Sequence, residues 1–200
     1  MVFLGPLFIG AHGIFLEETD IKLLGNYRTN LAHCPVIIAK RGYTAPILEM
    51  EREGGNIGLG TDNMASDIIE AMKVAQMAFR IRNTMAYEPK PKKVLEMATV
   101  NGAKALGRDT ELGTIDKNKL ADLIIIDYNK PNYIPLFKEN VISNLVHTGL
   151  ASDIDSVIVN GEILVENGRY IKEDEQIILD NAQKAANRVW NLWKNQINYT

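Results

Sequence analysis

Short apolar runs alternate with amphipathic segments over the first half of the chain. The runs are typical of buried strands and cover residues 7–11, 29–33 and 56–60. Helical spacing of apolar positions predicts helices at 17–24, 46–53, 67–82 and 90–106. Strands that alternate with helices at this spacing indicate parallel βα units, so the first half of the chain is predicted to be α/β.

The pattern changes after Gly107. A β-branched run at 123–127 predicts a strand, and two further short strands at 157–159 and 163–165 flank Asn160-Gly161, the dipeptide favoured in type I′ hairpins. Asn167-Gly168 predicts another turn. The block from 111 to 172 is therefore expected to be β-rich, and 173–193 to form a helix with one apolar stripe: Ile178, Ala182, Ala185, Val189 and Trp193.

Composition and charge argue against several classes of protein. The chain has 200 residues, 46% hydrophobic and 24% charged, with a net charge of −3, which disfavours a broad nucleic-acid-binding face. The apolar segment 2–16 lacks the cationic start of a signal peptide and is short for a membrane span. With a single cysteine, Cys34, these features lead us to expect a cytoplasmic protein without membrane or nucleic-acid partners.

Candidate chemistry lies at the ends of the three predicted strands. His12 and His33 end the first two strands, and Asp62 follows the third. The carboxyl ends of parallel strands meet on one face of an α/β barrel, so these side chains are expected to converge. Two imidazoles and a carboxylate suit metal-assisted hydrolysis, although a histidine at a strand end is often only structural.

A series of short motifs runs along nearly the whole chain: GAHGIFL at 10–16, NLAHCP at 30–35, AP at 45–46, GLGTD at 58–62, NGAKALG at 101–107, LGTI at 112–115, KLADLI at 119–124 and VIVNG at 157–161. Taken in this order, the motifs resemble the amidohydrolase superfamily. The branch most similar contains the cytosine, guanine and S-adenosylhomocysteine deaminases and the triazine hydrolases.

The resemblance implies a fold, an activity and roles for four residues. Residues 1–108 would form about the last three βα units of a (β/α)8 TIM-type barrel, 109–172 part of a small β-sandwich, and 173–200 a C-terminal helix. The implied reaction is hydrolytic deamination or dechlorination of a purine, pyrimidine or triazine ring by water activated on one divalent metal, Zn or Fe. Asp62 would bind the metal and act as general base, His12 would contact the water or substrate and shuttle protons, and His33 and Asn63 would face the substrate, with a structural role still open for His33.

Two departures from the family pattern shape the hypotheses. The chain has no His-x-His and no fifth-strand His-x-x-Glu, so most metal ligands of the family are missing and only Asp62 matches. A full barrel takes about 250 residues, and here a core strand starts within ten residues of Met1. We therefore expect the C-terminal portion of an enzyme, inactive alone, that needs the missing barrel half or self-associates. The alternative is a non-catalytic truncated or split fragment that needs an N-terminal partner.

Other chemistry-bearing residues have competing interpretations. Lys40 and Arg41 would face an anionic substrate group or be solvated loop charges, while Cys34 is interpreted as core packing and His147 as structural or surface. The Trp190 and Trp193 pair is assigned to docking or core packing. Asp67, with Glu70 three residues on, has the spacing of a helix N-cap and its box partner.

Overall fold

The computed structural model describes residues 4–63 and 66–197, which group into two compact units. Of these described residues, the first unit holds those up to 120 together with 127–153, and the second holds 121–126 together with those from 154 to 197. Contacts thus group the residues differently from the three segments expected from the resemblance, 1–108, 109–172 and 173–200. That division stays a prediction about the family fold.

The first unit is built on a parallel sheet, as the strand pattern predicts. Its strands are β1 (Ile9–Ala11), β2 (Asn30–His33) and β3 (Asn56–Leu59), hydrogen-bonded in that order, with Gly10 opposite Leu31 and Leu31 opposite Ile57. Seven helices of the described chain belong to this unit: α1 (Glu18–Asn26), α2 (Pro35–Lys40), α3 (Ile47–Arg52), α4 (Ile68–Asn83), α5 (Pro91–Ala98), α6 (Val100–Ala105) and α7 (Val141–Thr148).

The core of this unit lies between the sheet and the helices that follow its strands. Ile57 of β3 is completely buried, and Leu31 of β2 packs in the same cluster with side chains from the surrounding helices. Each such side chain contributes roughly 1.5–3 kcal/mol by leaving water. The cluster fixes the sheet relative to its helices and therefore fixes the positions of the loops at the strand ends; it includes Ile38, Met50, Phe79 and Met97.

One predicted helix is divided in the structure, and the helix at 35–40 was not predicted. The single helix expected at 90–106 is two helices, α5 and α6, that meet at Thr99, whose backbone leaves the helical region at φ −130° and ψ −86°. The Thr99 hydroxyl donates to the Leu95 carbonyl, a local bond of the kind that bends helices. Residues 35–40, for which the sequence pattern predicts no element, form α2, where Pro35 occupies the first turn and Val36 to Ile38 are all buried.

The second unit contains an antiparallel sheet and a long helix. Strands β4 (Leu123–Ile126), β5 (Ile154–Val159), β6 (Glu162–Glu166) and β7 (Arg169–Tyr170) pair in sequence order, and α8 spans Glu175–Ile197. Asn160 and Gly161 both have positive φ, 50° and 80°, which confirms the predicted type I′ turn. On α8, Trp190 and Trp193 contact each other with ring centroids 4.9 Å apart and are half exposed, so they are not core residues within the described chain.

Residues 127–153 interrupt the block expected to be β-rich. They return to the first unit as α7 and two short 3-10 turns, Pro131–Tyr133 and Ala151–Asp153. Asp153, 2% exposed, accepts hydrogen bonds from Lys130 Nζ, the Tyr133 hydroxyl and the Leu150 N–H. This buried carboxylate fastens the returning segment. None of the described helices combines the length and apolar character that crossing a membrane requires.

Candidate functional site

The carboxyl edge of the parallel sheet brings His12, His33 and Asp62 to one place. The hydrogen-bond ladder continues just past the strands, since the His12 N–H donates to the Ala32 carbonyl at 3.1 Å and the Gly60 N–H donates to the His33 carbonyl at 2.8 Å. The side chains that follow β1 and β3 are therefore held at the same edge as the end of β2. This convergence agrees with the strand-end argument made from sequence.

His12 and Asp62 are in direct contact. Nε2 of His12 lies 3.3 Å from Oδ2 of Asp62, and the two side chains are 39% and 27% exposed, so solvent or a small ligand reaches both. Both residues have left-handed backbones, with φ of 66° and 55°. Such a conformation costs a non-glycine residue on the order of 1–3 kcal/mol and is concentrated at functional sites. The fold therefore maintains local strain at the two residues with which the site is built.

Cys34 completes a cluster that the sequence argument did not assemble. Its side chain is 7% exposed and packs in the core, as expected. Its Sγ nevertheless lies with one nitrogen of His12 and one carboxylate oxygen of Asp62 in a group whose ligand atoms are all within 4.8 Å of one another. A Cβ at Gly60 would stand 2.9 Å from this Sγ, so the glycine of the GTD motif leaves room for the thiol.

Electrostatics at this edge of the sheet favour the neutral forms of the buried Cys34 thiol and His33 imidazole. Burial, followed by the nearby Asp62 carboxylate, raises the pKa of the Cys34 thiol. Burial, followed by the neighbouring His12, lowers the pKa of His33 to about 4, so this imidazole is neutral at physiological pH. Among the residues that the structure describes, Nδ1 of His12 and Nδ1 of His33 are buried without a hydrogen-bond partner.

His33 differs from His12 in its surroundings. It is 3% exposed, and it lines a narrow, mainly apolar cavity with Ala45, Phe79 and Met97. Its position at the end of β2 places it next to the cluster, but its burial separates it from solvent. Its burial suits a structural role, and its place at the end of β2 suits a substrate-facing one.

The remaining candidates lie at different distances from the cluster. Asn63 is exposed and follows Asp62 directly, its N–H donating to Oδ1 of Asp62, and residues 64 and 65 beyond it are outside the described chain. Lys40 is the last residue of α2, Arg41 is the C-cap in the turn that follows, and both are exposed. His147 is exposed on α7, with Nδ1 3.1 Å from the Ser143 hydroxyl, which agrees with a surface role.

The N-cap prediction for α4 is confirmed. Oδ1 of Asp67 accepts hydrogen bonds from the N–H groups of Ile69 and Glu70, at 2.8 and 3.1 Å. A side chain used in this way satisfies donors that the first helical turn leaves free. Asp67 is thus accounted for by the helix, and the carboxylate available for chemistry at this edge is that of Asp62.

The donor set of the cluster fits a divalent cation. Imidazole nitrogen, thiolate sulfur and carboxylate oxygen are the three ligand types that Zn²⁺ takes in proteins. Because Nδ1 of His12 has no hydrogen-bond partner among the described residues, it does not fix the tautomer of the ring. In the tautomer protonated at Nε2, this nitrogen donates to the Asp62 carboxylate 3.3 Å away. Catalytic zinc sites use three protein ligands and keep a further position for water or substrate. Of the three residues in this cluster, only Asp62 is assigned to the metal by the sequence motifs.

Comparison with known proteins supplies the family context. The sequence model of the amidohydrolase family matches residues 2–164. The 5'-deoxyadenosine deaminase of Methanosarcina mazei is 40% identical over 92% of this chain, and the 5-methylthioadenosine/S-adenosylhomocysteine deaminase of Pelotomaculum thermopropionicum is 34% identical over 92%. In both cases the chain spans 43% of the relative's length.

Solved structures agree with these relatives. An adenosine deaminase from Xanthomonas campestris with bound zinc superposes with a TM-score of 0.87 at 25% identity, covering 94% of this chain and 44% of that one. The atrazine chlorohydrolase TrzN from Arthrobacter aurescens, crystallised as a mutant with zinc and atraton, gives 0.78 at 25% identity, covering 88% and 40%. The α/β fold of this chain is therefore that of a part of these enzymes.

Proposed function

The chain belongs to the amidohydrolase family, and from that premise we propose that it is the C-terminal portion of a metal-dependent hydrolase that deaminates a purine-type heterocycle. The observation that carries this proposal is the contact of His12 with Asp62 at the carboxyl edge of the sheet, 3.3 Å between Nε2 and Oδ2. Support for the substrate class comes from the relatives named as 5'-deoxyadenosine and 5-methylthioadenosine/S-adenosylhomocysteine deaminases. An adenosine-type nucleoside with a modified 5' position is the substrate we infer.

Asp62 and His12 have complementary roles in this proposal. A divalent cation, Zn²⁺ for preference, would be held by Asp62 with ligands from outside this chain, and it would lower the pKa of a water molecule towards neutrality. The Asp62 carboxylate accepts a proton from the attacking water. His12 hydrogen-bonds to the oxygen that this water adds to the ring, and its partial exposure lets it reach the substrate.

The proposed reaction balances as a hydrolysis. One C–O bond forms as water adds to the ring carbon that carries the exocyclic amino group, and one C–N bond breaks as ammonia leaves. Asp62 collects the proton released by water, and transfer of that proton to the departing nitrogen makes it a leaving group. Asn63 and His33 are proposed to contact the substrate ring, Asn63 from the exposed loop beside Asp62.

The proposal includes a partner for the sheet. Within the described chain β1 and β3 each pair with β2 alone, so each presents an unpaired edge. Exposed edges invite further strands, and several large apolar side chains near β1 are exposed, among them Leu7 and Phe15. We infer that an amino-terminal barrel segment, or failing that a second copy of the chain, covers these edges.

Ammonia release tests the proposal. The wild-type chain is assayed with 5'-deoxyadenosine and 5'-methylthioadenosine, alone and mixed with an amino-terminal amidohydrolase segment that carries His-x-His. We expect ammonia only from the mixture. Turnover by the chain alone would contradict the need for a partner. A mixture that forms a stable complex and binds zinc, yet releases no ammonia from either nucleoside, would favour the non-catalytic alternative.

A further inference from the structure

The long helix α8 is a feature of the chain that the proposed reaction does not use. Its side chains are all exposed from residue 175 to residue 194. Large apolar groups are among them, including Val189 at 67% and Leu192 at 66% exposure. A helix with one apolar side normally buries that side against another element. Within the described chain, α8 therefore presents an apolar face to solvent.

The apolar positions of α8 lie on one side of the helix. Going from Ile178 to Leu192, they are four, three, four and three residues apart, the spacing with which two helices pair along a seam. Trp193 lies at the edge of this side, and Trp190 contacts it with ring centroids 4.9 Å apart. We call this face the α8 stripe; it consists of Ile178, Ala182, Ala185, Val189, Leu192 and Trp193.

The sizes of the side chains along the α8 stripe make it complementary to itself. Small residues, Ala182 and Ala185, occupy the middle, and the larger Ile178 and Leu192 lie towards the two ends. Because the distance between two packed helices depends on the side chains at the contact, the alanines permit a close crossing there. Two copies that cross at their alanines in opposite directions bring the isoleucine end of one stripe to the leucine end of the other.

Charge along α8 fits the same antiparallel arrangement. The acidic residues of this region, at 173–175 and 180, all precede the basic residues Lys184, Arg188 and Lys194. Two antiparallel copies place the acidic half of each helix beside the basic half of the other, whereas two parallel copies place like charges together. Complementary potentials of this kind select a partner and its orientation. The charge pattern therefore favours a second copy of this same helix.

We propose that α8 is a self-association surface, on which the α8 stripes of two chains pack antiparallel about a two-fold axis between Ala182 and Ala185. A contact of this type uses the same surface of both copies, so the assembly is complete at two chains. It assigns the exposed Trp190 and Trp193 to docking. The inference goes beyond the proposed function and does not depend on it.

Sedimentation velocity of the 200-residue chain over a concentration series tests this inference. We expect the wild type to form a dimer. Val189→Asp places a charge on the α8 stripe, and the dissociation constant of the dimer should rise at least ~30-fold, as for the loss of a binding hot spot. Asn191→Asp is the matched control, since it introduces the same side chain on the opposite side of α8 and should leave the dimer unchanged. Circular dichroism compares the folding of the two variants.

Spin labels report the direction of pairing without any substitution in the α8 stripe. Gln176→Cys, Gln183→Cys or Asn191→Cys, each on a Cys34→Ser background, carries one label per chain, and pulsed electron paramagnetic resonance measures the distance between the two copies. In an antiparallel dimer the label at 183 gives the shortest distance, because the labels at 176 and 191 are separated along the helix axis by roughly 20 Å. A parallel dimer would give the same distance at all three positions.

The outcomes that contradict the inference are distinct from those that test ammonia release. A monomeric wild type, a dimer that Val189→Asp leaves intact, or equal distances at the three labels would each overturn it. When the chain is mixed with an amino-terminal amidohydrolase segment, we expect complexes that contain two copies of the chain. A complex of one chain with one segment would show that the segment covers the α8 stripe, and it would overturn the inference without deciding the proposed reaction.

Discussion

The two ends of the parallel sheet are built on opposite principles. At the amino edge, Asn56 Nδ2 donates to Asn30 Oδ1 at 2.8 Å and to the Asn101 carbonyl at 2.9 Å, while Asn101 Nδ2 donates to the Ile57 carbonyl. At the carboxyl edge, His12 and Asp62 have left-handed backbones, and Nδ1 of His12 has no partner among the described residues. The polar side chains at the amino edge hydrogen-bond within the protein. At the carboxyl edge, a polar atom without such a partner among the described residues is available to a ligand.

This difference separates stability from chemistry along the same three strands. In α/β barrels the amino ends of the strands serve stability and the carboxyl ends carry the active site. The amide chain of Asn30, Asn56 and Asn101 ties the starts of β2 and β3 to α6. Substitutions at the two edges should therefore have different consequences, which makes the comparison testable.

His12→Asn is expected to show the largest difference between its effect on turnover and its effect on stability. Asparagine tolerates the left-handed backbone at this position but cannot shuttle a proton as imidazole does. We expect turnover of the assembled protein to fall by roughly 10³-fold, with the urea midpoint of unfolding unchanged. His147→Asn is the matched control on α7, and it should affect neither quantity. A lowered urea midpoint in His12→Asn would show that the histidine serves folding instead.

At the amino edge, Asn56→Ala should lower the stability of the fold and leave the chemistry of the carboxyl edge nearly unchanged. The change removes two hydrogen bonds and leaves the Asn30 amide oxygen and the Asn101 carbonyl without this donor. We expect a loss of about 2–3 kcal/mol in the free energy of unfolding, measured by urea denaturation followed by circular dichroism. Turnover of the assembled protein should remain within a few-fold of wild type. A loss of turnover in a folded variant would remove the distinction between the edges.

The carboxylate of Asp153 contrasts with that of Asp62, because it is buried and hydrogen-bonded within the fold. Burial alone would raise the pKa of Asp153, but hydrogen bonds from Lys130, Tyr133, the Leu150 N–H and Asn132 outweigh it and lower the pKa to about 2. The unfolded value is about 3.9. Because the folded pKa is the lower one, the stabilisation is present above about pH 4 and is lost as the pH falls towards about 2.

Asp153→Asn should remove that part of the pH dependence. Thermal unfolding followed between pH 6 and pH 2 should show a shallower decline in the variant than in wild type, because the asparagine has no carboxylate to protonate. The variant should also be less stable at neutral pH, since Lys130 loses its ionic partner. Parallel pH profiles for the two proteins would show that other groups control acid unfolding.

The smallest expected effect is a gain in stability at the carboxyl edge. Asp62 has φ of 55°, a conformation that glycine adopts without the steric cost paid by other residues. Asp62→Gly is therefore expected to raise the free energy of unfolding by about 1 kcal/mol or less while abolishing metal binding. Differential scanning calorimetry measures the change. A clear destabilisation would contradict the idea that strain is held here for function.

Much of the sheet could be predicted from sequence, because apolar runs, glycines and turn residues act locally. The three parallel strands and the Asn160-Gly161 hairpin lie close to their expected positions. The helix α2 could not be foreseen in the same way, since Val36, Ile37 and Ile38 are buried together and show no helical alternation. The break at Thr99 depends on a single hydroxyl–carbonyl bond that no periodicity reveals.

The candidate functional site could likewise be predicted only in part from the sequence. His12, His33 and Asp62 could be placed at one edge because strand ends of a parallel sheet converge. The position of Cys34 could not, because its Sγ reaches the site only through the room left at Gly60, a contact between residues from different strands. The left-handed backbones of His12 and Asp62 likewise depend on the fold around them.

The most direct test of the central claim is ammonia release by the Asp62→Asn chain in the assembled protein, with 5'-deoxyadenosine as substrate. Asparagine keeps the size of the side chain and its tolerance of a left-handed backbone, but it neither binds a cation as a carboxylate does nor accepts the proton of water. We predict a folded complex with turnover at least ~10³-fold below wild type. Turnover equal to wild type would show that the edge holding His12 and Asp62 is not the hydrolytic site.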